Sequence, residues 1–104
     1  TMLSSTSAGA LSALRIDLAD GGSATITDYG AHVLSWGPAS GDERLYMSES
    51  AVLDGTKPIR GGVPVIFPQF NAFGPGVRHG FARSVVWTRE EQRSGRDFAT
   101  ATWV

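Results

Sequence analysis

The 104 residues contain no cysteine. That excludes a disulfide framework, a thiolate nucleophile and a thiolate metal site, and it suits a protein of the cytoplasm. No apolar run approaches the roughly 20 residues that a helix needs to cross a bilayer, so no membrane partner is expected. Residues 1–12 are rich in Ser, Ala and Gly and hold no basic residue and no apolar core. They read as neither a secretory signal nor an arginine-rich transit segment, but as a flexible lead-in to one domain over 13–104. A helical period of useful length is missing, and so are an internal repeat, a Walker-type glycine loop, a dinucleotide fingerprint and a nucleophile elbow. The most local absence is of acid. No Asp or Glu occurs from Lys57 through Thr88, a window that carries a formal charge of +4 on a chain of net charge −1.

What is there alternates with period two. Leu14, Ile16 and Leu18 stand against Arg15 and Asp17, the pattern of a half-buried strand. Asp20-Gly21-Gly22 is a turn signal, and a second run follows over Ala24–Asp28. Val33–Trp36 predicts a third strand, residues 37–42 a loop, and Leu45-Tyr46-Met47 a short strand. Ser48–Pro58 reads as a polar connection, Ser84–Trp87 as a resumed strand, Arg93–Asp97 as a turn and Phe98–Val104 as a further strand. The pattern is all-β with antiparallel hairpins. Phe98–Val104 runs to the last residue with no turn and no polar tail, so the chain is expected to be the N-terminal part of a longer protein.

The stretch Ile59–Arg83 is rich in glycine and proline yet carries four phenylalanines, unlike a flexible linker. Proline stiffens the backbone and glycine permits close approach of a ligand. With Arg60, Arg78, His79 and Arg83 among the aromatic groups, it has the composition of a binding loop on a scaffold. A structural crossover packing its own phenylalanines would share much of this composition. The missing acid favours a site for an anion over a generally basic surface.

Ile59-Arg60-Gly61-Gly62-Val63-Pro64, Phe67-Pro68-Gln69-Phe70 and His79-Gly80-Phe81-Ala82-Arg83, in this order, resemble the signature of the hexose-6-phosphate mutarotases. These glucose-6-phosphate 1-epimerases are a branch of the aldose 1-epimerase superfamily. Tyr29–Trp36 is similar to an early strand of the same family, and the resemblance runs from about Leu14 to Trp87. It implies a galactose-mutarotase-like β-supersandwich of which this chain is the N-terminal portion. It implies an isomerase acting on a small hexose phosphate, without a cofactor. It also implies that the catalytic acid, a histidine, and the base, a glutamate, lie beyond residue 104, so no complete catalytic pair is expected here.

On the resemblance and the charge pattern together, Arg60 and Arg83 are expected to bind the sugar phosphate, since guanidinium forks match phosphate oxygens. His79 is expected to hydrogen-bond a sugar hydroxyl, Gln69 to read another, and Phe67, Phe70 or Phe81 to line the pocket. Lys57 and Arg78 are candidate helpers, with Gly61 and Gly62 turning the backbone at Arg60. The segment Asn71–Gly76 departs from the family pattern, which leaves the pocket rim and the preferred hexose open. His32 has no metal-ligand spacing to His79 and reads as a strand residue on the outward face. Asp42-Glu43 and Glu90-Glu91 are adjacent carboxylates, which on a strand point to opposite faces and form no dyad.

Two alternatives stand beside this reading. A non-catalytic carbohydrate-binding β module would use the aromatic groups but needs no cationic zone. A single-stranded nucleic-acid binder would stack bases on Phe67, Phe70, Phe73 and Phe81, but such proteins carry a broader basic surface than a chain of net charge −1.

Overall fold

Four strands follow one another in an antiparallel meander in the computed structural model, which describes residues 2–39 and 41–104. They are β1 (Met2–Ala8), β2 (Leu11–Asp17), β3 (Ser23–Thr27) and β4 (Val33–Gly37). A second antiparallel pair, β5 (Arg89–Ser94) and β6 (Ala99–Trp103), closes the chain. The fold is all-β, as the alternation predicts.

The strand β2 is the spine. Leu11, Ala13 and Leu14 are buried on it, so its middle is covered on both faces. Its register sets Leu14 against Ile26 of β3, another buried side chain. The Asp20-Gly21-Gly22 turn forms as expected, with the Asp20 carboxylate accepting from the Gly22 N–H at 2.8 Å. A hydrophobic core cluster joins Leu11, Tyr29, Leu34 and Ile59 and brings the start of the central stretch onto the sheet.

Three expectations are corrected. The lead-in over 1–12 is instead the edge strand β1 plus the start of β2. Ser and Thr dominate it and no side chain of it is buried, and it is a strand because seven consecutive residues pair with β2. Thr1 lies outside the described residues, as does Ser40 of the loop expected over 37–42. Leu45–Met47 is no strand; Met47 makes one isolated bridge to Gly61. In place of a strand over Ser84–Trp87 there is a 3₁₀ turn at Ala82–Ser84, followed by a bridge from Val86 to Tyr29. The turn near Arg93–Asp97 does form and joins β5 to β6, with the Gly95 N–H donating to the Phe98 carbonyl at 2.9 Å.

Asp28, just past β3, ties the second pair of strands to the first sheet. Its carboxylate accepts from the indole N–H of Trp103 at 2.8 Å and pairs with the Arg89 guanidinium at 2.9 Å. Asp28 and Arg89 are both mostly buried, so this contact is screened far less than a surface ion pair.

Candidate functional site

The turn between β3 and β4, residues 28–32, carries the candidate site on both sides. The Asp28 carbonyl accepts from the Trp87 N–H at 2.7 Å, and the Gly30 N–H donates to the Val85 carbonyl at 2.7 Å. These bonds fix the segment that begins at Arg83. Gly30 sits at φ +73°, and a Cβ there would lie 2.6 Å from the Arg83 carbonyl oxygen, so only glycine allows this approach. On the other side of the turn His32 is fully buried, with Nε2 2.5 Å from the Gly61 carbonyl oxygen. Val33 and Val63 exchange both backbone hydrogen bonds, at 2.8 and 3.1 Å. Gly61 and Gly62 have φ of +120° and +62°, and a Cβ on Gly62 would overlap the Val33 carbonyl and stand 3.0 Å from His32 Nε2. The two glycines do turn the backbone at Arg60, and Ile59, buried beside them, anchors the bend.

The two segments meet at a cavity of about 650 Å³, a volume typical of small-molecule sites. Arg60, Arg83 and His79 line it together with Lys57 and Arg78. Among the described residues no carboxylate lines it. Five cationic or donor side chains, spread over 27 positions of sequence, thus share one concavity. Ser50 and Val52 also line it. They belong to the segment that reads as a polar connection, and no signal in their own neighbourhood distinguishes them.

His79 is held by its own loop. The Asn71 N–H donates to His79 Nδ1 at 2.7 Å, and the His79 N–H donates to the Asn71 carbonyl at 2.8 Å. Because Nδ1 accepts, the neutral ring carries its proton on Nε2 and offers a donor there. Desolvation holds the imidazole below the usual histidine range, and the charges of Arg83 and Arg78 push the same way. The ring of Phe70 packs against it at 5.1 Å, tilted by 57°. His79 itself lies at φ +62°, a conformation that side chains other than glycine seldom adopt.

Gln69 does not line the cavity. Its amide closes the 69–79 loop: Nε2 donates to the Asn71 and Gly76 carbonyls at 3.0 and 3.3 Å, and Oε1 accepts from the Gly76 N–H at 2.9 Å. Both ends of the amide that make glutamine a suitable hydroxyl reader are engaged by backbone. Arg78 reaches the cavity while its Nε–H donates to Asn71 Oδ1 at 2.9 Å. Phe67 and Phe81 line a separate apolar groove with Val85, Val86 and Trp87, and Phe70 supports His79. None of the three expected aromatic groups lines the cationic cavity.

His32 is the largest correction. It is not on an outward face but wholly enclosed. Burial holds its pKa below the usual histidine value; the bond to Gly61 opposes that, and the nearby Arg83 charge adds to it. Arg83 is itself half-buried, and its Nε–H makes no hydrogen bond among the described residues.

The family model described as aldose 1-epimerase matches residues 12–104. A relative from Cenchrus ciliaris, named "Putative glucose-6-phosphate 1-epimerase", is 43% identical over 60 residues, which cover 58% of this chain and 18% of the relative. A relative of the same name from Escherichia coli K12 is 39% identical over 79 residues, covering 71% of this chain and 26% of its own length. Among solved structures, one described as a putative mutarotase (YeaD) from Salmonella typhimurium superposes with a TM-score of 0.87 at 30% identity, over 97% of this chain and 35% of that one. The chain therefore spans about a third or less of the length of these relatives. Its sheets are those of the galactose-mutarotase-like fold.

Proposed function

The chain belongs to the aldose 1-epimerase family, and on that premise we propose that the protein interconverts the α and β anomers of a hexose 6-phosphate. This stretch supplies part of the sugar-phosphate site. The observation that carries the reading is the cavity in which Arg60 and Arg83 meet His79, with no carboxylate on its wall. A wall dominated by guanidinium, ammonium and imidazole N–H groups, with the Ser50 hydroxyl beside them, presents mostly donors. It matches a phosphate, which is rich in acceptors and doubly charged, better than a neutral sugar, whose hydroxyls both give and take. The names of the plant and bacterial relatives support the same substrate. A substrate of this kind agrees with a cytoplasmic setting.

Mutarotation opens a hemiacetal and recloses it on the other face. One group protonates the ring oxygen while another takes the anomeric hydroxyl proton. The cavity wall holds no carboxylate to serve as the base. His79, neutral and protonated on Nε2 at neutral pH, is placed to donate to a ligand oxygen and to orient the sugar. We assign the acid and base to parts of the protein outside this stretch.

The test is α/β exchange followed by NMR on equilibrated sugars with the full-length protein. Faster exchange of glucose 6-phosphate than of glucose at equal concentration is expected. Equal acceleration of both would remove the phosphate from the reading. Binding of glucose with no acceleration of either sugar would favour a carbohydrate-binding module.

A further inference from the structure

The sugar-phosphate reading uses Arg60, Arg83 and His79 and leaves His32 without a part. Yet His32 is among the largest side chains completely removed from solvent. An apolar residue could fill this space at no polar cost. A histidine brings two ring nitrogens that need partners. One of them, Nδ1, has no partner among the described residues. The other, Nε2, meets the Gly61 carbonyl. A carbonyl can only accept, so Nε2 is the donor and Nδ1 bears the lone pair in the neutral ring.

The bond falls at the residue immediately after Arg60. Around it the chain is held mainly by backbone. The Ser48 N–H donates to the Arg60 carbonyl at 3.1 Å, and the Gly62 N–H donates to the Tyr46 carbonyl at 2.8 Å. The Gly61 carbonyl between them is held by a side chain, that of His32. Gly61 and Gly62 both lie at positive φ, where the backbone has much freedom to rotate unless pinned. The turn that carries His32 also binds, by backbone, the segment leading back to Arg83. His32 is thus rooted in the element that places one arginine and reaches across to the peptide that places the other.

We propose that His32 is a positioning residue for the anion cavity, holding Arg60 in register with Arg83 through its hydrogen bond to the Gly61 carbonyl. The proposal rests on the sugar-phosphate reading for its effect on binding, but not for its effect on the Arg60 loop.

The test compares His32→Gln, His32→Asn and His32→Leu in the full-length protein. Glutamine can bring its amide N–H close to the position of Nε2; asparagine is polar but too short; leucine fills the space without a donor. Two readouts are taken: hydrogen exchange at the Gly61–Val63 amides without ligand, and affinity for glucose 6-phosphate. Exchange is expected to rise about tenfold in His32→Asn and His32→Leu, the size of one lost hydrogen bond, and to stay near wild type in His32→Gln. Affinity should fall about tenfold in the same two variants and little in His32→Gln. In an Arg60→Ala background the loss of affinity caused by His32→Asn should largely vanish, since the two act through one contact. If His32→Leu does not fold, the Asn and Gln pair decides. Equal exchange and affinity for these two, or full additivity with Arg60→Ala, would overturn the proposal. Failure of the wild type to prefer glucose 6-phosphate, with the exchange pattern as expected, would sink the substrate reading and leave the loop-holding role standing.

Discussion

Arg60 and Arg83 are 23 positions apart and line one cavity. A paired guanidinium site is worth more than two separate surface charges, because each planar fork can bind two phosphate oxygens. Arg60→Ala and Arg83→Ala are each expected to weaken glucose 6-phosphate binding about 10- to 100-fold and to leave glucose binding within about threefold. Calorimetric titration of both sugars checks this. Arg83→Lys is expected to recover only part of the loss, since a lysine is a point charge without the fork.

The residue scale also carries a pH dependence. Burial holds the folded-state pKa of His32 below its ordinary value of about 6.5. The unfolded chain therefore takes up a proton there more readily than the folded one. The stability tied to neutral His32 is fully present above about pH 6.5 and is lost as pH falls from there toward the folded value. Thermal unfolding measured from pH 7.5 to 5.5 should show a falling midpoint, and His32→Gln should flatten that slope. A slope unchanged by the substitution would show that other groups carry it. The placement of His32 was not legible in the sequence because the pairing of β3 with β4 is irregular. Thr25 faces Ser35 while Ile26 faces Val33, so Leu34 is an extra residue between them. A bulge breaks the two-residue period by which a side chain is assigned to a face, and no residue type at 32–36 announces it.

At the scale of elements, two ties hold the site in place. Gln69 closes the loop that presents His79, using three hydrogen bonds to backbone. Gln69→Ala is expected to raise amide exchange at Gly76 and His79 and to weaken glucose 6-phosphate severalfold while leaving the sheet intact. NMR exchange rates with a matched titration check it. Asp28 joins β5 and β6 to the turn that carries the site. Removing its carboxylate leaves the Arg89 charge and the Trp103 N–H without their partner. Asp28→Ala should therefore cost ~2–4 kcal/mol in a denaturant titration.

The strands that follow an apolar alternation, β2, β3 and β4, were legible in the sequence. The edge strand β1 was not, because Ser and Thr dominate it and the pairing partner β2, not its own pattern, makes it extended. Leu45–Met47 and Ser84–Trp87 show the reverse. Their apolar runs resemble strands, but their backbone groups serve isolated bridges between loops. Gln69 and Phe70 were legible as important but not in their roles. Sequence shows an amide and a ring near the site; which way they turn is decided by the closed loop 69–79.

At the scale of the whole molecule, a net charge of −1 hides a division. No Asp or Glu lies between positions 57 and 88, and this window folds back on itself to bring Arg60, Arg78, His79 and Arg83 to one concavity. Such a local field draws small anions without making the whole surface adhesive to polyanions. It also separates the phosphate reading from the nucleic-acid one, which needs a basic track across several nucleotides.

The most direct measurement is the affinity ratio of glucose 6-phosphate to glucose, taken by calorimetry on the full-length protein at low and at moderate salt. The phosphorylated sugar is expected to bind at least about tenfold more tightly, with the advantage shrinking as salt rises and disappearing in the Arg60→Ala, Arg83→Ala double variant. A ratio near one, unchanged by salt and by the double substitution, would contradict the assignment of this cavity to the phosphate.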